Sequence, residues 1–211
     1  MFRIKNFLFI VVLGTCVAAQ EQSFIEVIVV NPNIQLDIRY ATENNFLNRA
    51  VYPQARCFVL YPVALKLDSI QKELESIGLG LKIFDGYRPL SVQKQMWEIL
   101  PDDRYVANPQ NGSRHNRGAA VDVSLVDSSG LELPMPTAFD DFTEKAAHDY
   151  DDLPAEVRRN RWILKTIMEK YSFAPIKSEW WHYDLKGWEK FPVSDLSFEE
   201  IEQMNAPSQP Q

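Results

Sequence analysis

The segment from Ala119 to Leu125 combines a strand pattern with a carboxylate at its centre. Successive residues of a strand point to opposite faces of a sheet. One face of this segment is entirely apolar and belongs in a core; its members are Ala119, Val121, Val123 and Leu125. The other face places Asp122 between two small residues, which leaves space beside the carboxylate. The segment therefore requires a central strand with a polar cavity on one side.

The composition indicates a folded chain that does not bind nucleic acid. Of the 211 residues, 45% are hydrophobic and 12% aromatic, which excludes a wholly disordered protein. The formal net charge of −7 argues against a nucleic-acid partner, because such binding needs clustered positive charge. Two cysteines, Cys16 and Cys57, are too few for a four-cysteine zinc site. Cys57 is predicted to be a buried, inert thiol.

Residues 1–19 have the pattern of a secretory signal peptide. The parts are a positive start (Arg3, Lys5), an apolar run (7–13) and small residues before the cleavage point (17–19). The run is shorter than the roughly 20 residues that cross a membrane, so the mature chain is expected in the periplasm or outside the cell, without a membrane span. Lipid attachment at Cys16 is the less favoured alternative. Cleavage leaves Cys57 alone, which excludes an internal disulfide.

The apolar periodicity predicts one α+β domain over 20–204, followed by a disordered tail at 205–211. Strands and helices are mixed without regular βαβ alternation, which favours a central, mostly antiparallel sheet flanked by helices. The predicted strands are 24–30, 36–40, 81–84, 119–125 and 181–185. The predicted helices are 62–77 with Gln71 on its wet face, 91–100 capped by Ser91, and 159–171 with 158–161 as an exposed basic start.

Three segments hold the residue types of a metal-dependent hydrolase: 85–89, 113–122 and 179–182. Gly118 permits a sharp turn that folds His115 back towards Asp122. His182, before an aromatic strand, supplies a third ligand. Three protein ligands leave the fourth zinc position to water, which is the catalytic pattern.

Two further residues complete the predicted chemistry. Glu179 lies three residues before His182, so the chain must turn or bulge between them if both side chains are to reach one cavity. Glu179 is predicted to take a proton from water and pass it to a leaving amine, and Arg88 to stabilise an oxyanion. A histidine and an aspartate at this spacing are more often incidental, and Arg88 could simply pair with Asp85 at the surface. The combination carries the inference.

These motifs resemble those of the zinc D-alanyl-D-alanine dipeptidases of the VanX type, within the broader group of zinc D-Ala-D-Ala peptidases. The family pattern Ser-x-His-x-x-Gly-x-Ala-x-Asp matches 113–122, and Glu-Trp-Trp-His-Tyr matches 179–183. The resemblance extends over about 24–195. In two places the chain departs from the family: Pro136 replaces a glycine, and His148 stands where a His-His pair is frequent, outside the zinc site.

The resemblance implies a zinc site in a cleft on the sheet, a general base and a substrate pocket. The implied roles are one zinc ion per chain on His115, Asp122 and His182, Glu179 as base and then acid, Arg88 at the oxyanion, Ser113 and Asp140 at the substrate ammonium, and Tyr40 and Tyr52 at the pocket wall.

The expected activity is hydrolysis of free D-Ala-D-Ala to two D-alanines during turnover of cell-wall peptides. One alternative is a D,D-carboxypeptidase or endopeptidase that acts on longer peptidoglycan stems. Another is a zinc-stabilised binding module without catalysis, which the presence of Glu179 and Arg88 disfavours. The sequence does not determine the oligomeric state.

Overall fold

The computed structural model describes residues 22–206. The signal peptide predicted at 1–19 lies outside these residues. No helix between residues 22 and 206 is long and apolar enough to cross a membrane.

A five-stranded sheet forms the centre of the fold. The strands within residues 22–206 are β1 (Phe24–Glu26), β2 (Gln35–Leu36), β3 (Phe58–Leu60), β4 (Leu79–Asp85), β5 (Ala120–Asp127), β6 (Phe173–Pro175) and β7 (His182–Leu185). The sheet order is β2-β4-β5-β7-β6, and β1 pairs with β3 separately. Only β2 and β4 run parallel; the other pairings in the sheet are antiparallel. The prediction of a mostly antiparallel sheet is confirmed.

Helices pack against this sheet, which confirms the α+β class. They are α1 (Val27–Val30), α2 (Tyr61–Glu75), α3 (Leu90–Ile99), α4 (Ala155–Lys170) and α5 (Phe198–Asn205). Helix α2 contacts β4, and α4 contacts β5 and β6. Strand β5 is central, and all its residues from Ala120 to Val126 are buried. Its apolar face joins the hydrophobic core, as the alternation predicts.

Helix α2 buries the apolar stripe from which it was predicted. The prediction that Gln71 lies on its solvent-exposed face is wrong. Gln71 is buried, and its Oε1 accepts a hydrogen bond of 2.8 Å from the Leu81 backbone N–H. A buried N–H needs a partner, and the start of β4 obtains one from this side chain. The helix ends at Glu75 rather than at 77, and Gly78 follows with a φ of 76°.

Two of the predicted strands are largely replaced by other structure. The chain from 24 to 30 leaves the strand after Glu26, because β3 pairs with only three of its residues, and α1 follows. The strand predicted at 36–40 pairs with β4 over Gln35 and Leu36 only, and the chain then makes a 3-10 turn over Arg39–Ala41. Both strands are therefore shorter than their residue propensities predict, because only these residues have a strand to pair with.

The remaining helix ends differ from prediction because other segments stabilise them. Helix α3 begins at Leu90, so Ser91 is not its cap; the Ser91 N–H instead donates to Asp195 Oδ1 at 2.6 Å. Helix α4 begins at Ala155, four residues before the predicted start. Asn205 does not begin a disordered tail: it is the last residue of α5, and its Nδ2 donates to the Phe24 carbonyl. Residues 207–211 lie outside the described part.

Arg161 holds the loop that carries His148 against α4. It is buried, contrary to the prediction of an exposed basic start, and its Nη1 donates to the carbonyls of Ala147 and Tyr150. The His148 ring packs against the Tyr183 ring at 5.9 Å. Burial, followed by Lys165 and Arg161, lowers the pKa of His148 to about 4.

Replacing Gly118 with alanine should destabilise the protein more than the same change at Gly78. Both have a left-handed φ, for which a side chain costs about 1–2 kcal/mol. A Cβ at Gly78 meets nothing within 4 Å, whereas one at Gly118 overlaps the Phe24 ring and adds about 1–3 kcal/mol. Urea unfolding of G118A and G78A measures the difference; equal losses would contradict the proposed close approach.

His148 should make the protein less stable as the pH falls. Its pKa is lower in the folded than in the unfolded state, so the unfolded chain binds the proton first. The stability is complete above about pH 6.5 and is lost towards pH 4; the change in pKa corresponds to at most about 3 kcal/mol. Urea unfolding from pH 7 to 4 should show a shallower decline for H148N. An unchanged decline would mean that His148 does not titrate in this way.

Candidate metal centre

Asp122 and His182 are direct cross-strand partners in the β5–β7 ladder. Paired residues of antiparallel strands place their side chains on the same face of the sheet. As a result, Asp122 Oδ1 lies 3.0 Å from His182 Nδ1. Backbone pairing alone thus brings together two residues that are 60 positions apart in sequence.

His115 reaches the same point from a 3-10 turn over His115–Arg117. Gly118 ends this turn in the left-handed conformation and leads into β5, so that His115 folds back as predicted. Its Nε2 lies 3.2 Å from His182 Nδ1 and 3.5 Å from Asp122 Oδ2. All three predicted ligands are buried and adjacent.

Hydrogen bonds behind the two histidines orient their lone pairs towards each other. His115 Nδ1 lies 2.8 Å from the Gly86 carbonyl oxygen, and His182 Nε2 lies 2.9 Å from Asp184 Oδ1. Each of these nitrogens therefore carries the proton and donates it. The opposite nitrogens, His115 Nε2 and His182 Nδ1, are left to bind a metal.

The spacing of the ligand atoms fits zinc. Tetrahedral zinc, with bonds of about 2.0–2.2 Å, separates neighbouring ligand atoms by about 3.3 Å. His182 Nδ1 lies 3.2 Å from His115 Nε2 and 3.0 Å from Asp122 Oδ1, and the other carboxylate oxygen, Oδ2, lies 3.5 Å from His115 Nε2. Burial disfavours a charged His182, but hydrogen bonds to Asp122 and Asp184 outweigh it and raise its pKa to about 10. The cluster thus attracts positive charge, which a metal ion supplies.

Glu179 stands beside the cluster without belonging to it. The chain bends at Trp180 and Trp181 and enters β7 only at His182, which confirms the predicted turn. Glu179 Oε2 is 4.0 Å from His182 Nδ1, and 21% of the side chain is exposed. Burial, and then the charge of Asp122, raise the pKa of the carboxyl group despite the opposing effect of His182. Such a carboxylate can accept a proton close to a metal-bound ligand.

Arg88 is held in place by two buried side chains, those of Asp85 and Gln93. Its Nη2 donates to Asp85 Oδ2 at 2.7 Å, and its Nη1 donates to Gln93 Oε1 at 2.8 Å. Asp85, Arg88 and Gln93 are all buried, so the pair with Asp85 is not a surface ion pair. A glutamine four residues after a proline gives no local signal of this function, whereas the i, i+3 spacing of Asp85 and Arg88 does.

The two tyrosines predicted at the pocket wall lie in different positions. Tyr40 lies between two predicted site residues: its hydroxyl donates to Asp140 at 3.1–3.2 Å, and the Arg88 guanidinium carbon lies 4.9 Å from its ring centroid. Tyr52 contacts the partner of Arg88 instead: its hydroxyl donates a hydrogen bond of 2.6 Å to Asp85 Oδ1. Tyr52 thus supports the residue that holds Arg88.

Asp140 is carried by an aromatic loop beside the metal cluster. Phe139 stacks on Phe84 and contacts Trp181, and Trp180 Nε1 donates to Thr137 Oγ1. Asp140 adopts a φ of 61°, and burial followed by the charge of Asp122 raises its pKa well above the ordinary value. A cavity of about 200 Å³ borders it, lined by Arg39, Glu43, Asn44, Asn45, Phe46, Asn48, Ala138, Phe139 and Asp140.

Ser113 supports the turn that presents His115. Its Oγ accepts a hydrogen bond of 3.2 Å from the His115 backbone N–H, and its own N–H donates to Asn116 Oδ1. The side chain is buried beside the metal ligands. The hydrogen bonds of Ser113 therefore give it a clear structural role at the predicted site.

Comparison with known proteins gives one consistent family. A family model of peptidase family M15, described as D-ala-D-ala dipeptidase, matches residues 20–200. The D-alanyl-D-alanine dipeptidase of Escherichia coli K12 is 34% identical over 169 residues, covering 80% of this chain and 88% of the relative. The enzyme of the same name from Enterococcus faecium is 30% identical over 189 residues, with 78% and 92% covered, and that from Streptomyces coelicolor is 32% identical over 174 residues, with 72% and 86% covered.

Replacing Asp184 with asparagine should weaken zinc binding by about 10–100-fold, because the hydrogen bond that orients His182 loses its charge. Competition with a chromophoric chelator measures the zinc dissociation constant directly. D103N, which removes one exposed negative charge away from the cluster, should bind zinc like the wild type. Equal dissociation constants for D184N and wild type would contradict the role of Asp184.

Proposed function

This chain belongs to the D-Ala-D-Ala dipeptidase family of peptidases, and we propose that it hydrolyses D-Ala-D-Ala to two D-alanines at His115, Asp122 and His182. The observation that carries this proposal is the placement of Glu179, whose carboxylate lies 4.0 Å from the ligand nitrogen of His182 without being a ligand. A metal cluster with an adjacent free carboxylate is the arrangement of a hydrolase. A purely structural zinc site has no need of it.

Zinc is the cofactor that the three ligands fit, and it supplies Lewis acidity that lowers the pKa of a bound water to about 7. Glu179 Oε2 takes a proton from the attacking water and delivers it to the leaving amine nitrogen. The raised pKa of Glu179 suits both directions of this transfer, because the protonated carboxyl persists until the amine accepts the proton. Arg88, held by Asp85 and Gln93, offers a fixed cation to the oxyanion.

Asp140 selects a substrate with a free ammonium group. Its carboxylate has Tyr40 as hydrogen-bond donor and lies in a buried setting that disfavours its charge. An ammonium ion at this place removes that penalty, whereas the neutral amide of a longer stem peptide does not. The amino terminus of a dipeptide is the ammonium nearest to its only peptide bond. Asp140 therefore favours the dipeptidase over the D,D-carboxypeptidase alternative.

The cellular role follows from the predicted signal peptide at 1–19. An exported enzyme meets dipeptide that is released from the cell wall rather than the cytoplasmic precursor pool. The proposed role is salvage of D-Ala-D-Ala during cell-wall peptide turnover in the periplasm or outside the cell. A reporter fused after residue 30 should be exported, and a reporter that stays in the cytoplasm would contradict this role.

The activity is tested by release of D-alanine from D-Ala-D-Ala by purified 20–211 loaded with zinc. Release should be rapid and abolished by a chelator. Glu179→Gln should lower kcat by about 10²-fold or more while the zinc content stays at one per chain. Normal turnover by E179Q would contradict the role of Glu179, and no release by folded, zinc-loaded wild type would contradict the dipeptidase.

The selectivity is tested with N-acetyl-D-Ala-D-Ala, which lacks the ammonium group. The wild type should hydrolyse it far more slowly than D-Ala-D-Ala. Asp140→Asn should raise the KM for D-Ala-D-Ala by about 10–100-fold, as expected for a lost charged hydrogen bond, and should narrow the difference between the two substrates. An unchanged KM would contradict the proposal that Asp140 binds the substrate ammonium group. Rapid wild-type cleavage of a stem pentapeptide would favour the longer-substrate alternative.

A further inference from the structure

One side of helix α4 presents three cations and a tryptophan to solvent. Trp162 lies four residues after Arg158 and three after Arg159, and Lys165 lies three after Trp162, so Trp162 shares its face with all three cations. Trp162 is a large apolar residue, yet 64% of its surface is exposed. Neither the metal centre nor the proposed reaction uses any of these residues.

These residues line a cavity rather than a flat surface. The cavity has a volume of about 540 Å³ and lies between α4 and the loop that includes His148 and Asp151. Arg161, which ties this loop to the helix through the carbonyls of Ala147 and Tyr150, forms part of its wall. The pocket, which we call the α4 pocket, therefore has a fixed wall on both sides.

The cations of the α4 pocket have no counter-charge of their own. Within residues 22–206, the side chains of Arg158, Arg159 and Lys165 make no ion pair and no hydrogen bond, whereas Arg56, Arg88 and Arg104 each pair with a carboxylate. Asp151 is the one acidic lining residue, and Arg161 already binds it at 3.2 Å. In a chain of net charge −7, such a cluster attracts anions selectively.

His148 lines the same pocket beside Arg161 and Lys165. Lys165 and Arg161, after burial, contribute to lowering its pKa to about 4, so the ring is neutral near pH 7. Both ring nitrogens are buried, and neither makes a hydrogen bond of full geometry, although the Glu179 backbone lies near enough to act on the ring. The neutral ring adds no charge of its own, so the cations of the α4 pocket are the groups that attract an anion there.

We propose that the α4 pocket binds an anionic saccharide, with a carboxylate or phosphate group on the cations and a sugar ring on Trp162. Arginine guanidinium groups bind both anions through paired N–H donors. An exposed indole ring offers a flat apolar surface that suits the C–H face of a sugar. A lipid surface fits less well, because a membrane-binding helix needs a broad apolar face, and this face has one large apolar side chain.

The proposal is tested by calorimetric titration of purified 20–211 at low salt. The probes are tetragalacturonate, which carries carboxylates, glucose 6-phosphate, inorganic phosphate and the neutral sugar maltotetraose. At least one anionic saccharide should bind more tightly than phosphate or maltotetraose. R159Q and W162A should each weaken that binding about tenfold, as expected for one lost contact to a charged or aromatic group.

K94Q is the matched control, since Lys94 is another exposed helical cation without an ion pair, located on α3. It should bind like the wild type, and all three variants should keep wild-type hydrolysis of D-Ala-D-Ala. K165Q, which should weaken binding like R159Q, replaces either pocket variant that does not fold. Absence of binding by both anionic saccharides, or equal binding by the pocket variants and wild type, overturns the proposal. So does Trp162-dependent binding to phosphatidylglycerol vesicles without saccharide binding, which would indicate a lipid surface.

Discussion

The pairing of Asp122 with His182 across β5 and β7 is the contact on which the rest of the site depends. The next strand adds Asp85, which is the partner of Asp122 across β4 and β5 after a register shift. Three polar residues thus stand in a row on three adjacent strands, in a sheet whose neighbouring residues are apolar and buried. Asp85 holds Arg88, and the carbonyl that follows it, that of Gly86, orients His115. Backbone hydrogen bonding in the sheet therefore determines where the chemistry takes place.

Buried carboxylates outnumber buried arginine and lysine side chains around this row. Asp85, Asp122 and Asp184 are buried close together, with Glu179 and Asp140 beside them, and Arg88 is the buried cation among them. Buried carboxylates of like charge raise each other's pKa, as Asp122 does for Asp140 and Glu179. A divalent ion bound at the histidines offsets this repulsion, so metal binding should also stabilise the folded site.

The sequence predicted that His115, Asp122 and His182 come together, with Glu179 beside them, because short motifs carry these residues: a sharp turn, an alternating strand and a bend before a second strand. The sequence-based predictions were wrong where the position of a side chain depends on a partner that is distant in sequence. Gln71 is buried because β4 needs an acceptor for Leu81, Arg161 because a loop offers carbonyls, and Ser91 is no cap because Asp195 supplies the oxygen. Gln93 was missed for the same reason, since only the folded chain brings it to Arg88. Helix boundaries and strand lengths followed the available partners rather than local propensity.

The two ends of the described chain meet behind the metal centre. Phe24 packs against the Gly118 turn and the Tyr87 ring, and Asn205 of α5 holds its carbonyl. Tyr87 in turn donates to the Leu196 carbonyl, next to the start of α5. A nascent chain that has emerged only as far as α4 lacks β7 and α5. It therefore has neither His182 nor the contact between Asn205 and Phe24 that supports the His115 turn. The metal centre can consequently assemble only after β7 has been synthesised.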